Sequence, residues 1–303
     1  MKQLPGLPDF VILGAQKSAS TFLQDQMRQH PSIEIAVGEA RHFEDPEYRN
    51  GAVGHLPLLF SRQEPGVVRG IKRPDYLGRP EVAARIARHL PDARLFVVIR
   101  EPVSRAVSSY YHYVRHGFVP LMPLAEAFRR LLDCDLQGTY PRAGEILTYG
   151  LYGLHIERYL QYFDHAQLMV FDQQSLTRDP VRSLVEAFRF LGVDPSFRPQ
   201  REQVSNRGVY SHLRLRLLRS KNHIQYRYTP SLDRRYPRRP GPLGYAWAGT
   251  VATVDRKLLA RLDRTRPPAL PPDLAGELRR YYAADTARLR SLLPDSGSFA
   301  WAS

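Results

Sequence analysis

Two short runs of residues have the types and spacing that chemistry on a phosphate-like group requires. The first is Gly14-Ala-Gln-Lys-Ser-Ala-Ser-Thr, which follows an apolar run and opens into a helix-like segment. At such a junction the first backbone N–H groups of the helix lack intrahelical acceptors and the helix dipole presents its positive end, so the loop is an anion site. Lys17 adds a mobile positive charge, and Ser18, Ser20 and Thr21 add hydroxyl donors. A kinase-type loop would read G-x-x-x-x-G-K-[S/T], and no second glycine precedes Lys17 here. The plainer alternative is a surface turn that caps a helix.

The second run is LFVVIREPVSRAVSSY, Leu95 to Tyr110, in which a strand ends at Arg100 and Ser108 lies about two helical turns further on. A magnesium-dependent phosphoryl-transfer enzyme would place a metal-holding aspartate at this strand end. Arg100 has the opposite charge. At the carboxyl end of a parallel strand it faces the crevice where such sheets bind ligands, and its planar fork suits a phosphate monoester. Arg105 is a second candidate for that work, with an exposed place on the helix surface as the plainer expectation, and Ser108 taken alone reads as an ordinary helix-surface residue.

The elements that must position these runs are legible as apolar patterns. Phe10 to Leu13 reads as a strand buried on both faces, Val67 to Ile71 as a second strand, and Leu95 to Ile99 as the clearest buried strand of the chain. Pro102 opens a helix to about His116, a helix covers Tyr152 to Phe163, and Leu168 to Phe171 is a further strand. Pro180 starts a helix with Leu184, Val185, Phe188 and Leu191 on one face, stopped by Gly192. Strands alternating with helices predict an α/β fold with a central parallel sheet and helices on both faces. Residues 1–303 are read as one domain. Within it, 200–250 forms a basic irregular or helical lid or acceptor-side extension, and 251–303 forms C-terminal helices. The last of these, about Asp273 to Leu293, is expected to pack on the sheet through Leu274, Leu278, Tyr281, Tyr282 and Leu289.

Lys and Arg total 44 against 30 for Asp and Glu, a net charge of +14, so the field attracts polyanions: nucleic acid, anionic lipid or a multiply phosphorylated cofactor. The single cysteine, Cys134, excludes an intramolecular disulfide and is expected to be a small buried hydrophobe. No His, Cys and carboxylate cluster has ligand spacing, so no metal is expected. The N-terminal apolar run is too short to span a membrane and lacks the pattern of a signal peptide, which points to the cytoplasm.

GAQKSASTFL resembles the 5′-phosphosulfate loop of sulfotransferases that use 3′-phosphoadenosine 5′-phosphosulfate (PAPS), and REPVSRAVSSYYHYVRHG resembles their 3′-phosphate segment. YGLYGLHIERYLQYF, LMVFDQQSLTRDP and FLGVD resemble later landmarks, so the likeness covers most of Pro8 to Asp194. It is nearest in style to the heparan sulfate sulfotransferases and bacterial small-molecule sulfotransferases. GEARHFED resembles their K-E-P-H-F-F segment and IKRPDYL their E-K-x-P-x-Y-F segment, with Gly38 and Ile71 as departures. The resemblance implies PAPS as co-substrate without a metal, held by Lys17, Ser18, Ala19, Ser20, Thr21, Phe22, Arg100, Ser108 and, in a weak counterpart of a late basic loop, Arg207. It further implies Glu39 as the base, with Lys17 and Lys72 offsetting charge on the bridging oxygen and the transferred group. The acceptor it implies is a hydroxyl or amine of a sugar, lipid or other small molecule. An exposed charge or surface ion pair is the plainer account of Glu39 and Lys72, and His42 and His112 are rival bases. A phosphate-loop kinase of a small metabolite and a basic nucleic-acid-binding protein are the alternative functions.

Overall fold

The computed structural model describes residues 6–62, 64–200, 208–294, 299 and 301. The chain divides into two compact units, one of residues 1–101, 151–206 and 284–303, the other of residues 102–150 and 207–283.

The first unit is built on five parallel strands, β1 Phe10–Gly14, β2 Ile33–Ile35, β3 Val68–Lys72, β4 Arg94–Ile99 and β5 Leu168–Asp172, in the order β2-β3-β1-β4-β5. Val11 pairs with Ile71 on one side and Leu95 on the other. Side chains alternate across the sheet, so each strand feeds two cores. Val11, Leu13, Ile71, Leu95, Val97 and Ile99 pack with Val82, Ile86, Tyr152, Ile156 and Tyr159 from helices Val82–His89 and Tyr152–Leu160. Phe10, Ile12, Phe96 and Val98 pack with Phe22, Leu23, Leu184, Phe188 and Leu191 from helices Ser20–Met27 and Pro180–Leu191. Double burial is why β1 and β4 read as continuous apolar runs. The expected parallel sheet with helices on both faces is the observed one. Val185 is half-buried at the margin of its helix, which ends where Gly192 takes a left-handed φ of 73°.

Late in the chain, helix Pro272–Leu292 contributes residues 284–292 to this unit. Leu289 joins the sheet core, and the carboxylate of Asp285 accepts the N–H groups of Gly153 and Leu154 at 2.9 and 2.8 Å. These are first-turn donors of helix Tyr152–Leu160, which have no acceptor inside their own helix. A side chain at Gly153 would meet the Asp285 carbonyl at 2.5 Å, so the glycine permits the clasp.

The second unit is mainly helical, with helices Pro102–Arg115, Leu124–Leu132, His212–Gln225 and Pro242–Val254 and an antiparallel pair, β6 Tyr226–Tyr228 with β7 Arg235–Pro237. Tyr110, Tyr113, Val114, Phe128, Leu131, Ile146, Leu215, Leu218, Leu274 and Leu278 form its core. The Asn222 side chain donates to the Arg115 carbonyl at 2.7 Å, satisfying one of the open acceptors at that helix end. Tyr281, expected on the packed face of the last helix, is exposed, while Leu274, Leu278, Tyr282 and Leu289 are buried. Cys134 is exposed with a φ of 62°, so the expectation of a buried cysteine is wrong: it lies just past helix Leu124–Leu132, where the chain turns out of the core.

Candidate active site

Within the first unit the candidate residues lie at the carboxyl ends of neighbouring strands. Lys17 follows β1, Lys72 ends β3, Arg100 follows β4, and Glu39 lies four residues beyond β2. Because β1 stands between β3 and β4, the chain leaving β3 crosses to the far side of β1, and that reversal opens the crevice in which open α/β sheets bind ligands.

The loop after β1 has an unusual backbone. Lys17 and Ala19 hold positive φ, 68° and 70°, and Ser18 between them does not. Such alternation turns successive N–H groups toward one side and forms an anion-binding concavity. At Gly14, where φ is 141°, an added Cβ would lie 2.6 Å from the Pro74 carbonyl, so only glycine permits this exit from the strand. The loop is braced by the Ala15 N–H to the Val98 carbonyl at 2.7 Å and by Gln16, whose amide donates to Asp75 at 3.0 Å. Ser18 is fully buried, and its Oγ has no hydrogen-bond partner. A buried hydroxyl left in that state costs about 1–3 kcal/mol, and a phosphate or sulfate oxygen in the concavity would satisfy it. The 5′-phosphosulfate of PAPS therefore fits the residues present.

Lys72 is buried and donates to Thr21 Oγ1 at 2.8 Å, joining the end of β3 to the first turn of helix Ser20–Met27. Burial pulls its ammonium below the usual lysine range, Arg28 and Arg73 push the same way, and Glu39 and Asp25 oppose them. The surface account of Lys72 does not hold.

Glu39 is set by its neighbours in sequence. The Ala40 N–H bonds to the Lys72 carbonyl at 3.0 Å, the Phe43 N–H to the Tyr76 hydroxyl at 3.2 Å, and Arg85 donates to the Phe43 carbonyl at 3.1 Å. The side chain of Glu39 is 43% exposed and accepts a hydrogen bond from Arg73 Nη1. Arg73 is itself buried. It donates to Glu44 through Nε at 2.6 Å and Nη2 at 3.1 Å, and to Asp75 at 2.9 Å. Burial works against its charge, but Asp75, Glu44 and Glu39 outweigh it and push its pKa well above the ordinary arginine value. The sequence reading passed over Arg73, Glu44 and Asp75. IKRPDYL and GEARHFED contain them all, and the acidic surplus of the second segment against one arginine in the first was the available signal.

Arg100 is half-buried. Its Nη1 donates to the Lys17 carbonyl at 3.4 Å, and its N–H donates to the Tyr152 hydroxyl at 3.3 Å. The structure thus brings Arg100 and the Lys17 loop together, and separately Lys72 with Thr21 and Glu39 with Arg73. Ser20 is buried in the first turn of its helix, and Phe22 belongs to the core beneath it. Ser108 lies on helix Pro102–Arg115 of the second unit and is buried, not a surface residue of that helix. Arg207 lies outside the described residues. Arg105, expected to be exposed, is fully buried and donates through Nη2 to the Ile146 carbonyl, a partner 41 residues away that helical periodicity does not reveal. Burial and His55 lower the pKa of half-buried His42. His112, in the second unit, stands edge-on to His116 with ring centroids 4.3 Å apart.

The Sulfotransferase domain family model matches residues 7–234. Mouse heparan sulfate glucosamine 3-O-sulfotransferase 3B1 is 31% identical over 189 residues, 62% of this chain and 46% of the mouse protein. Mouse bifunctional heparan sulfate N-deacetylase/N-sulfotransferase 4 is 30% identical over 206 residues, 63% of this chain and 23% of its own length. The chain thus spans about half of the first of these relatives and less of the second. A sulfotransferase crystal structure from Alicyclobacillus acidocaldarius shares the fold, with a TM-score of 0.65 at 23% identity over 97% of this chain and 98% of that one. With the anion loop after β1, Lys72 at the end of β3 and Arg100 after β4 all inside the matched span, the chain belongs to the PAPS-dependent sulfotransferase family.

Proposed function

We propose that this protein is a sulfotransferase that moves a sulfuryl group from PAPS to a hydroxyl or amine, and that Glu39 is its base. The observation that carries the reading is the buried, unpartnered Ser18 Oγ in a loop whose Lys17 and Ala19 are both left-handed. An ordinary helix-capping turn needs neither feature.

PAPS supplies an activated sulfuryl group on a good leaving phosphate. The chain's own residues do the rest. Loop N–H groups, Ser18 and Lys17 hold the 5′ end, Lys72 adds positive charge beside Thr21, and Arg100 supplies a planar fork for the second phosphate. Glu39 accepts the acceptor's proton through the carboxylate oxygen that Arg73 leaves open. Arg73 fixes the carboxylate's orientation and is itself fixed by Glu44 and Asp75. Because the relatives are named for O-sulfation and N-sulfation of heparan sulfate, a carbohydrate acceptor is the first to try.

The test is incubation with ³⁵S-labelled PAPS and a panel of sugar, lipid and phenol acceptors, alongside direct binding of adenosine 3′,5′-bisphosphate (PAP). Transfer of label to an acceptor and magnesium-independent PAP binding are expected. Absence of PAP binding by the folded protein would overturn the reading.

A further inference from the structure

In the second unit, helix Pro242–Val254 has the sequence PLGYAWAGTVATV and not one charged side chain. It buries Ala248 and Val251 against the unit and leaves most of its other residues exposed. A π turn, Asp255–Leu259, and a short helix, Ala260–Leu262, continue it. Along this run Leu243, Trp247, Val254, Leu258 and Leu262 are all exposed, Leu243 at 89% and Leu262 at 67%. Their spacings of four, seven, four and four residues are each near a whole number of helical turns, so they line up along the run, interrupted by the buried Val251, which lies four residues from Trp247 and three from Val254. Tyr245, two residues from both Leu243 and Trp247, is exposed on another face, and the Trp247 indole N–H reaches Ser220 Oγ at 3.4 Å while the ring stays nearly half exposed.

The flanks are strongly basic. Residues 227–239 hold five arginines against one aspartate, with Arg238 and Arg239 exposed immediately before the helix. Residues 255–266 hold Arg256, Lys257, Arg261, Arg264 and Arg266, all exposed, against two aspartates. Both of those aspartates, Asp255 and Asp263, are engaged by Arg214, which leaves the five exposed cations uncompensated by them.

We propose that this run docks flat on an anionic lipid bilayer, with its leucines and Trp247 in the headgroup and acyl boundary and the flanking cations on the lipid phosphates. A bilayer surface satisfies both features at once: apolar area and a dense negative layer beside it. Tryptophan favours that depth because one part of its ring system is apolar and another is polar. A second copy of the chain would cover the leucines but bring the basic flanks toward each other. A nucleic acid would meet the arginines and leave Leu243, Leu258 and Leu262 in water. Spanning is excluded for this run by Arg256, Lys257 and Arg261, and no helix among the described residues is long and apolar enough to cross a membrane.

The chain has two tryptophans, so Trp301→Phe leaves Trp247 as the sole reporter. The full chain carrying that change is mixed with phosphatidylcholine vesicles containing about a third phosphatidylserine, and with vesicles of phosphatidylcholine alone. Flotation with the anionic vesicles and a blue shift of Trp247 emission are expected, both weakened by salt. A Leu243→Asp, Leu258→Asp double variant, shown to be folded by circular dichroism, should bind these vesicles about tenfold less or worse. The proposal is overturned by an unmoved Trp247 emission, by equal binding of the double variant, by a lipid-free dimer that the double variant abolishes, or by an oligonucleotide whose binding depends on Leu243 and Leu258.

Discussion

Glu39 and Glu44 both accept hydrogen bonds from Arg73, and the structure predicts opposite consequences when each is changed to glutamine. Glu39 is 43% exposed, so solvent screens its ion pair and its loss should cost about 0–1 kcal/mol of stability. Glu44 is 2% exposed and bound through two bonds to a buried guanidinium, so breaking that pair should cost about 3–5 kcal/mol, a large share of a typical domain's stability. Catalysis reverses the order. A base contributes about 10²-fold to 10⁴-fold in rate, and at about 1.4 kcal/mol per tenfold its loss raises the barrier by roughly 3–5.5 kcal/mol. Glu39→Gln should therefore keep its urea midpoint and PAP affinity while turnover on a labelled acceptor collapses. Glu44→Gln should unfold in less urea. If Glu39→Gln turned over normally, or if its stability fell as far as that of Glu44→Gln, Glu39 would be a structural ligand of Arg73 and not the base.

Further outcomes follow from the rest of the site. Ser18→Ala removes a buried, unsatisfied hydroxyl, so the ligand-free protein should melt no lower than wild type while PAP binds about tenfold more weakly; a large loss of ligand-free stability would contradict the orphan status of Oγ. Arg100→Ala should cost about 1.5–3 kcal/mol of PAP affinity and erase the preference for PAP over adenosine 5′-monophosphate, measured by calorimetry, and an intact preference would move the second phosphate elsewhere. Burial holds the folded-state pKa of Lys72 below the ordinary value of about 10.4, so PAP affinity should start to fall with rising pH below that value. In the same window the unfolded chain binds the proton more tightly than the folded one, so the contribution of Lys72 to stability rises with pH. Lys72→Arg should shift the alkaline limb of PAP binding upward, and an unshifted limb would remove Lys72 from the site.

What the sequence revealed depended on whether a partner was local. β1 and β4 were legible because both faces of each are buried, and the loop after β1 was legible because its lysine and hydroxyls follow directly on a strand. β2 was not: it is three residues long with Glu34 at its centre, and that carboxylate is satisfied by the N–H groups of Ser61 and Arg62 at 2.8 and 3.0 Å, far along the chain. The pair β6 and β7 was hidden by arginines and Pro237, which read as a loop although Arg235 lies over the Tyr226 ring at 4.1 Å. Arg105 and Arg73 show the same rule for charges. Each is buried with an acceptor remote in sequence, Ile146 for Arg105 and Glu44 for Arg73, so the residue alone signalled a solvated surface.

The clasp of Asp285 on Gly153 and Leu154 imposes an order of events during synthesis. Those N–H groups leave the ribosome more than a hundred residues ahead of the carboxylate that satisfies them, at a separation of 132 and 131 positions. At about 5–20 residues per second the wait is roughly 7–26 s, during which β4, β5 and helix Tyr152–Leu160 exist with the helix start uncapped and the Leu289 contribution to the core missing. Residues 102–150 have emerged before that interval begins, residues 207–283 emerge within it, and together they carry a core of their own. The mainly helical unit therefore has all of its residues before the sheet has its last segment, and a released chain truncated after residue 283 should display a protease-resistant fragment from residues 102–150 and 207–283 ahead of one from the sheet.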